Sequence, residues 1–276
     1  MNYPNPFIPQ RADPYVTKGP DGNYYFTASY PAYMNVDAGY DRVVLRKSET
    51  VIGLAEAEEI TIWEAHNEGV MSKHIWAPEI HYIAGKWYVF FAAGEKENVW
   101  NIRPFVLMCK GQDPINDEWV EMGKMQASEG DEHSFTEFSL DMTYFENNDK
   151  HYLVWAEKLD DSSLFMAEIN PEEPWKLISK PILLTKPEYD WEKIRFAVNE
   201  GPAVLKTEDK IYVFFSASGT GAEYCIGLLA ADKNSDLMKA ESWTKKTTPV
   251  LSTKDLENEA GQTHREGNQD LPTLYA

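Results

Sequence analysis

One segment of this chain recurs four times, and that recurrence limits the fold more than any other feature. The copies are GNYYFTAS at 22–29, GKWYVFFAAG at 85–94, DKHYLVWAEK at 149–158 and DKIYVFFSASG at 209–219. Each places a polar or Gly-containing turn before a short aromatic and β-branched run, the pattern of a strand leaving a tight turn. Aligned on Tyr25, Tyr88, Tyr152 and Tyr212, the copies step by 63, 64 and 60 residues. Trp63, Trp119, Trp175 and Trp243 follow at a similar lag, each in a strand-like context. Between the two markers lies an apolar run: VVLRKS at 43–48, FVLMCK at 105–110, SLFMAEI at 163–169 and CIGLLAA at 225–231. A carboxylate precedes each Tyr: Asp13, Glu79, Asp141 and Glu200, at 12, 9, 11 and 12 residues before it.

The unit therefore reads as an acid-bearing strand, an aromatic strand, an apolar strand and a Trp strand. Four strands repeated about every 62 residues predict an all-β chain, a β-propeller whose blades surround a central channel. The period-2 runs exclude a solenoid of helix pairs. A large β-sandwich is the competing architecture. The innermost strand of each blade lines the channel, so acids at equivalent places would gather at one end of it.

Charge narrows the partners. Forty-five Asp and Glu face 26 Lys and Arg, a formal net charge of −19. Nucleic acid and anionic membrane surfaces need clustered Lys and Arg, so neither is an expected partner. No apolar run approaches the roughly 20 residues that span a bilayer. The first ten residues carry Pro4, Pro6 and Pro9 and no basic-then-apolar export pattern, and Cys109 and Cys225 give no disulfide framework. These features together predict a cytoplasmic chain acting on a neutral substrate.

Carboxylates crowded into one funnel hold one member protonated while another stays ionised. A pair of this kind is what hydrolysis of a glycosidic bond requires, one acid protonating the leaving oxygen and one base activating water. Trp76, in IWAPE, is placed to stack on a sugar face. Glu79 reads either as a site carboxylate or as a buried group bonding its neighbours. His74, His81 and His133 flank the acid-bearing segments and read either as site-lining or as surface and supporting residues. No HExxH, no Cys/His pair at ligand spacing, no GxSxG, no P-loop and no dinucleotide fingerprint is present. No metal or cofactor is expected from the residues themselves.

In order and spacing, RADPYV near the start, HIWAPEIHYIAGKWYVFFAAG at 74–94, SLDMTYFENNDKHYLVWAEK at 139–158 and VNEGPAVLKTEDKIYVFFSASGTGAEYCIGLLAAD at 198–232 resemble glycoside hydrolase family 43, and within it the α-L-arabinofuranosidase group. The resemblance runs from about residue 4 to residue 251. It implies a five-bladed propeller and an inverting mechanism. By position it makes Asp13 the general base, Glu200 the general acid, and Asp141 the residue that orients the acid and tunes its pKa. Trp76, Glu79, Phe196 and His133 become the expected substrate contacts. The implied activity is release of terminal α-L-arabinofuranose from arabinan or arabinoxylan oligosaccharides. A β-xylosidase of the same fold, or a propeller that binds sugar without cutting it, are the alternatives.

Five blades of about 62 residues exceed the 276 present. Residues 1–276 are read as one propeller domain, with four full blades to about 251 and a partial, divergent fifth over 252–276. The family's Gly-rich turn and His-Asn-Ser-Phe segment, expected near 261, have no counterpart. His264 stands there in different flanks, so the axial Ca²⁺ that the resemblance would allow has no support from these residues.

Overall fold

A computed structural model describes residues 6–31 and 39–255. Strands β1 (Ala12–Lys18), β2 (Tyr24–Ser29), β3 (Arg42–Ser48) and β4 (Ile60–Glu64) form one sheet in chain order. β5 (Lys73–Ile83), β6 (Lys86–Gly94), β7 (Arg103–Cys109) and β8 (Trp119–Lys124) form the next. β9 (Ser139–Asn147), β10 (Lys150–Lys158), β11 (Ser162–Ile169) and β12 (Ile182–Thr185) follow, then β13 (Asn199–Lys206), β14 (Lys210–Ala217), β15 (Cys225–Asp232) and β16 (Trp243–Lys245). A short β17 (Leu251–Ser252) adds to β15. Pairing is antiparallel throughout the first, second and fourth sheets. The expected four-stranded blade of an all-β propeller is thus present four times, in the expected strand order. The predicted fifth blade lies, from residue 256 on, outside the described residues. Among the described residues no helix is long and apolar enough to cross a membrane.

The repeated Tyr sits where the sequence pattern places it. Tyr25, Tyr88 and Tyr152 are buried on the second strand of their sheets. β6 is buried along its whole length after Lys86, because its near-continuous apolar run leaves neither face for water. The Trp marker needs one correction. Trp63, Trp119 and Trp243 stand on β4, β8 and β16, but Trp175 lies in a turn and the fourth strand of its sheet is the ILLT segment of β12. Pro171 and Pro174 lack the N–H that a ladder needs, so the segment around Trp175 forms turns and pairing resumes further on.

The chain divides into two compact units. The first comprises residues up to Gln126 with Phe138–Met142 and Asn170–Lys176; the second comprises Ala127–Glu137, Thr143–Ile169 and residues from Leu177 on. In the first unit Tyr25, Trp87, Val89, Phe91, Phe105 and Leu107 share one buried cluster, so its two sheets are cored together. In the second, Leu153, Trp155, Met166, Val213 and Phe215 are buried on the central strands.

Candidate active site

In β5 two residues lie in the left-handed region, His74 (φ 52°) being the first, and one such residue in each strand that opens a sheet falls at a shared place in the repeat. Those at the shared place are Asp13 (φ 50°), Ala77 (φ 44°), Asp141 (φ 53°) and Gly201 (φ 54°). They fall 12, 11, 11 and 11 residues before the repeated Tyr, so this is the structurally equivalent place in the repeat. Register shifts accompany three of them, between Ala12 and Tyr15, Trp76 and Glu79, and Glu200 and Ala203. The same three precede a proline, which cannot donate to the ladder where the register slips. A bulge re-aims the side chains beside it, and left-handed non-glycine residues concentrate at functional sites. Asp13 and Asp141 occupy the equivalent place itself. Glu200 stands one residue before it and Glu79 two residues after, so the four acids are not in one register as the sequence spacing suggests.

In the first unit, Asp13 is half-buried at the β1 bulge. The Ser29 hydroxyl donates to Asp13 Oδ2 and accepts the Ala77 N–H at 2.7 Å. One buried hydroxyl thereby joins the β1 and β5 bulges. Burial, and after it the Asp13 carboxylate, pushes the Tyr40 phenol above its ordinary pKa. Tyr40 meets Trp76 edge-on at 6.1 Å, and Trp76 lies 4.4 Å from the His74 ring. His74 stacks at 5.4 Å on Trp100, which is 64% exposed. Asp141 is half-buried in this same unit. The Glu79 carboxylate bonds His81 Nε2 at 2.8 Å, and His81 Nδ1 lies 3.2 Å from the Tyr15 hydroxyl. The Glu79 side chain is thus engaged in a half-buried network between β1 and β5. Burial, and then Glu79, holds the Tyr15 phenol well above its usual range.

In the second unit, Glu200 is half-buried at the start of β13, and the Tyr224 hydroxyl donates to its Oε1 at 2.9 Å. Phe196 is 57% exposed, with the Arg195 guanidinium 5.5 Å over its ring. His133 is exposed on the loop before β9. That loop is held by Glu157, a buried carboxylate on β10 that accepts the N–H groups of Phe135, Thr136 and Glu137 and the Trp155 indole N–H. Burial outweighs those four donors and pushes Glu157 above the ordinary carboxylate value. Among the described residues no group of three or more His, Cys, Asp or Glu side chains is arranged to hold a metal ion. His264 lies outside them.

A model of "Glycosyl hydrolases family 43" matches residues 3–271. This chain belongs to that family. It is 42% identical over 268 residues to a protein of Streptomyces avermitilis named extracellular exo-α-(1→5)-L-arabinofuranosidase, covering 96% of this chain and 53% of the relative. It is 42% identical over 284 residues to a protein of the same name from Streptomyces chartreusis, covering 99% of this chain and 82% of the relative. It thus spans about half the length of the Streptomyces avermitilis relative. The solved α-L-arabinofuranosidase of Lactobacillus brevis superimposes with a TM-score of 0.82 at 38% identity, covering 97% of this chain and 89% of that one.

Membership in family 43 agrees with the propeller blades described above. It overturns one expectation. The predicted cytoplasmic location does not stand, because both Streptomyces relatives are named extracellular. That expectation rested on features a sequence lacks, and a pair of buried thiols beside an acidic surface reports no compartment.

Of four residues around the candidate site that the sequence reading did not single out, three carry no signal in the sequence. Ser29 and Tyr40 reach Asp13 and its aromatic neighbours from β2 and the segment after it. Tyr224 reaches Glu200 from the far end of the β14–β15 connection, and Trp100 reaches His74 from the β6–β7 connection. The first three are contacts between segments far apart in sequence, with no fixed spacing to betray them. Trp100 was visible as an aromatic in the polar loop EKENVWN.

Proposed function

We propose that this chain is an exo-acting α-L-arabinofuranosidase that releases terminal arabinofuranose from arabinan or arabinoxylan oligosaccharides by single-displacement inversion. One observation carries the reading: 42% identity across nearly the whole chain to two enzymes named exo-α-(1→5)-L-arabinofuranosidases. In this scheme Asp13 takes a proton from water as the water attacks the anomeric carbon. Glu200 gives its proton to the departing glycosidic oxygen, and Asp141 orients that acid and tunes its pKa. Trp76 supplies a sugar-facing ring, with Glu79, Phe196 and His133 as further substrate contacts. No step uses a metal. The propeller is read as one domain over 1–276, with four full blades to about 251 and a partial, divergent fifth blade over 252–276.

Several features support these roles. Asp13 and Asp141 both hold left-handed backbone, of the kind that concentrates where side chains are aimed, and Asp13 stands at a bulge. Asp13 is fixed by a buried hydroxyl, and Glu200 by a phenol. A neutral sugar suits a chain of net charge −19.

The test is a substrate panel. The chain should hydrolyse p-nitrophenyl α-L-arabinofuranoside with a far higher kcat/KM than p-nitrophenyl β-D-xylopyranoside, and proton NMR should show the inverted anomer first. Preference for the xyloside makes it a β-xylosidase. Binding of arabinose oligomers with no turnover makes it a carbohydrate-binding propeller. A retained anomer rules out the Asp13–Glu200 scheme.

A further inference from the structure

Trp100 is the most exposed of the large exposed hydrophobic side chains among the described residues. An indole left in water forgoes its share of burial energy, and a core aromatic cluster would not leave it there. The loop that carries it is nonetheless tightly built. A Cβ on Gly94 would stand 2.4 Å from the Val99 carbonyl oxygen, so the loop folds back on bare backbone at that glycine. The Lys96 N–H donates to the Ser72 hydroxyl at 2.8 Å, and the Asn101 N–H bonds the Asn98 carbonyl at 2.9 Å. The Asn101 side-chain amide closes the loop onto the Glu95 carboxylate. The ring is therefore both exposed and held in place.

Its neighbours give it a direction. Trp100 stacks on His74 with 30° between ring planes, His74 lies against Trp76, and Trp76 meets Tyr40 edge-on. Tyr40 is close enough to feel the Asp13 charge. A continuous series of rings, all in one compact unit, thus runs from the proposed base to the exposed indole. The flat faces suit the C–H faces of a sugar, while the Tyr40 hydroxyl, the imidazole nitrogens and the indole N–H can bond its hydroxyls. Burial and the adjacent Lys73 keep His74 toward its neutral form, so the series presents no added positive charge to a neutral ligand.

We propose that the stacked His74–Trp100 pair is a platform for a second sugar residue of the substrate, beyond the one that meets Asp13. Its chemical class, an α-linked pentofuranose oligomer, rests on the arabinofuranosidase reading above. The platform would reward longer oligomers through binding, leaving the chemistry to the carboxylates.

The test uses a thio-linked α-(1→5)-arabinotriose, which resists hydrolysis, with free arabinose as the control. Calorimetry on the full chain should show Trp100→Ala raising the Kd for the trisaccharide about tenfold, equivalent to about 1.4 kcal/mol. The Kd for arabinose should change less than twofold. Trp100→Phe, which keeps a ring, should restore most of the trisaccharide affinity. Trisaccharide should also perturb tryptophan emission in the parent more than in Trp100→Phe. A trisaccharide Kd within twofold of the parent in Trp100→Ala overturns the platform. So does a Trp100→Ala chain that loses self-association in size-exclusion chromatography while binding sugar normally. If the parent binds xylotriose in place of arabinotriose and Trp100→Ala weakens that binding tenfold, the platform stands and the arabinose reading falls.

Discussion

At the scale of single residues, the best-supported assignments are those in which a neutral hydrogen-bonding group holds a carboxylate in one orientation. Ser29 both donates to Asp13 and accepts the Ala77 N–H, so Ser29→Ala removes a bond to a charged group and leaves a backbone donor unpaired. A bond of that type contributes on the order of 1.5–3 kcal/mol. We expect kcat/KM on an arabinofuranoside to fall about 10- to 100-fold by the same arithmetic, measured per folded molecule with the melting temperature followed in parallel. A variant that melts lower yet turns over normally would make Ser29 a packing residue only. Tyr224→Phe isolates the other side of the reaction, since only the hydroxyl that donates to Glu200 is lost. If Glu200 is the acid, the rate should fall more for poor leaving groups than for activated aryl arabinosides, which need little protonation. An equal loss on both classes would assign Tyr224 to substrate binding. Neither partner could be read from spacing: Ser29 closes one repeat copy, and Tyr224 lies in an ordinary loop sequence.

At the scale of elements, the repeat was legible because each sheet repeats the same solution, a tight turn into a strand with an apolar inner face. What the two-residue period could not show is where that period breaks. The left-handed residues Asp13, Ala77, Asp141 and Gly201 fall in equivalent places, whereas aligning the carboxylates selected Glu79 and Glu200 in place of Ala77 and Gly201. The residue–Pro pairs at 13–14, 77–78 and 201–202 were the available clue. The first sheet also has an anchor near its bulge. Glu59, just before β4, pairs with Arg11, two residues ahead of Asp13, and with Arg46 on β3 at 3.1 Å. Burial opposes ionisation of Glu59, but the Arg11 and Arg46 guanidinium groups outweigh it and hold its pKa below the ordinary value. A depressed carboxylate contributes stability that is present above its unfolded pKa and is lost as pH falls through its folded value. Glu59→Gln should therefore lower the urea midpoint at pH 7, by about 1–3 kcal/mol of stability for a half-buried pair cluster. The deficit should shrink as pH drops below the carboxylate range. A deficit constant across that range would show that shape, and not charge, is what Glu59 supplies.

At the scale of the whole molecule, composition excluded more than it identified. A charge of −19 fits a neutral ligand, but it did not report where the protein works, and the extracellular relatives correct that expectation. The same charge has a mechanical consequence that can be measured. Nineteen uncompensated negative charges repel one another across the folded chain, and unfolding relieves part of that repulsion. Opposing this are exposed pairs such as Lys110–Glu118 and Lys150–Glu168, at 2.6 and 2.5 Å, which salt would weaken. Exposed pairs contribute about 0–1 kcal/mol each, so the long-range repulsion should dominate the balance. Its reach falls from about 30 Å at 0.01 M salt to about 8 Å at 0.15 M. Raising NaCl across that interval should raise the melting temperature, by about 2–4 °C for each kcal/mol of repulsion screened. Sodium sulfate would confuse the reading by strengthening apolar burial, so the comparison belongs in chloride. A melting temperature that falls with NaCl would show that local ion pairs outweigh the net charge, and would shift attention from the acidic surface as a whole to clusters such as Glu59 with Arg11 and Arg46.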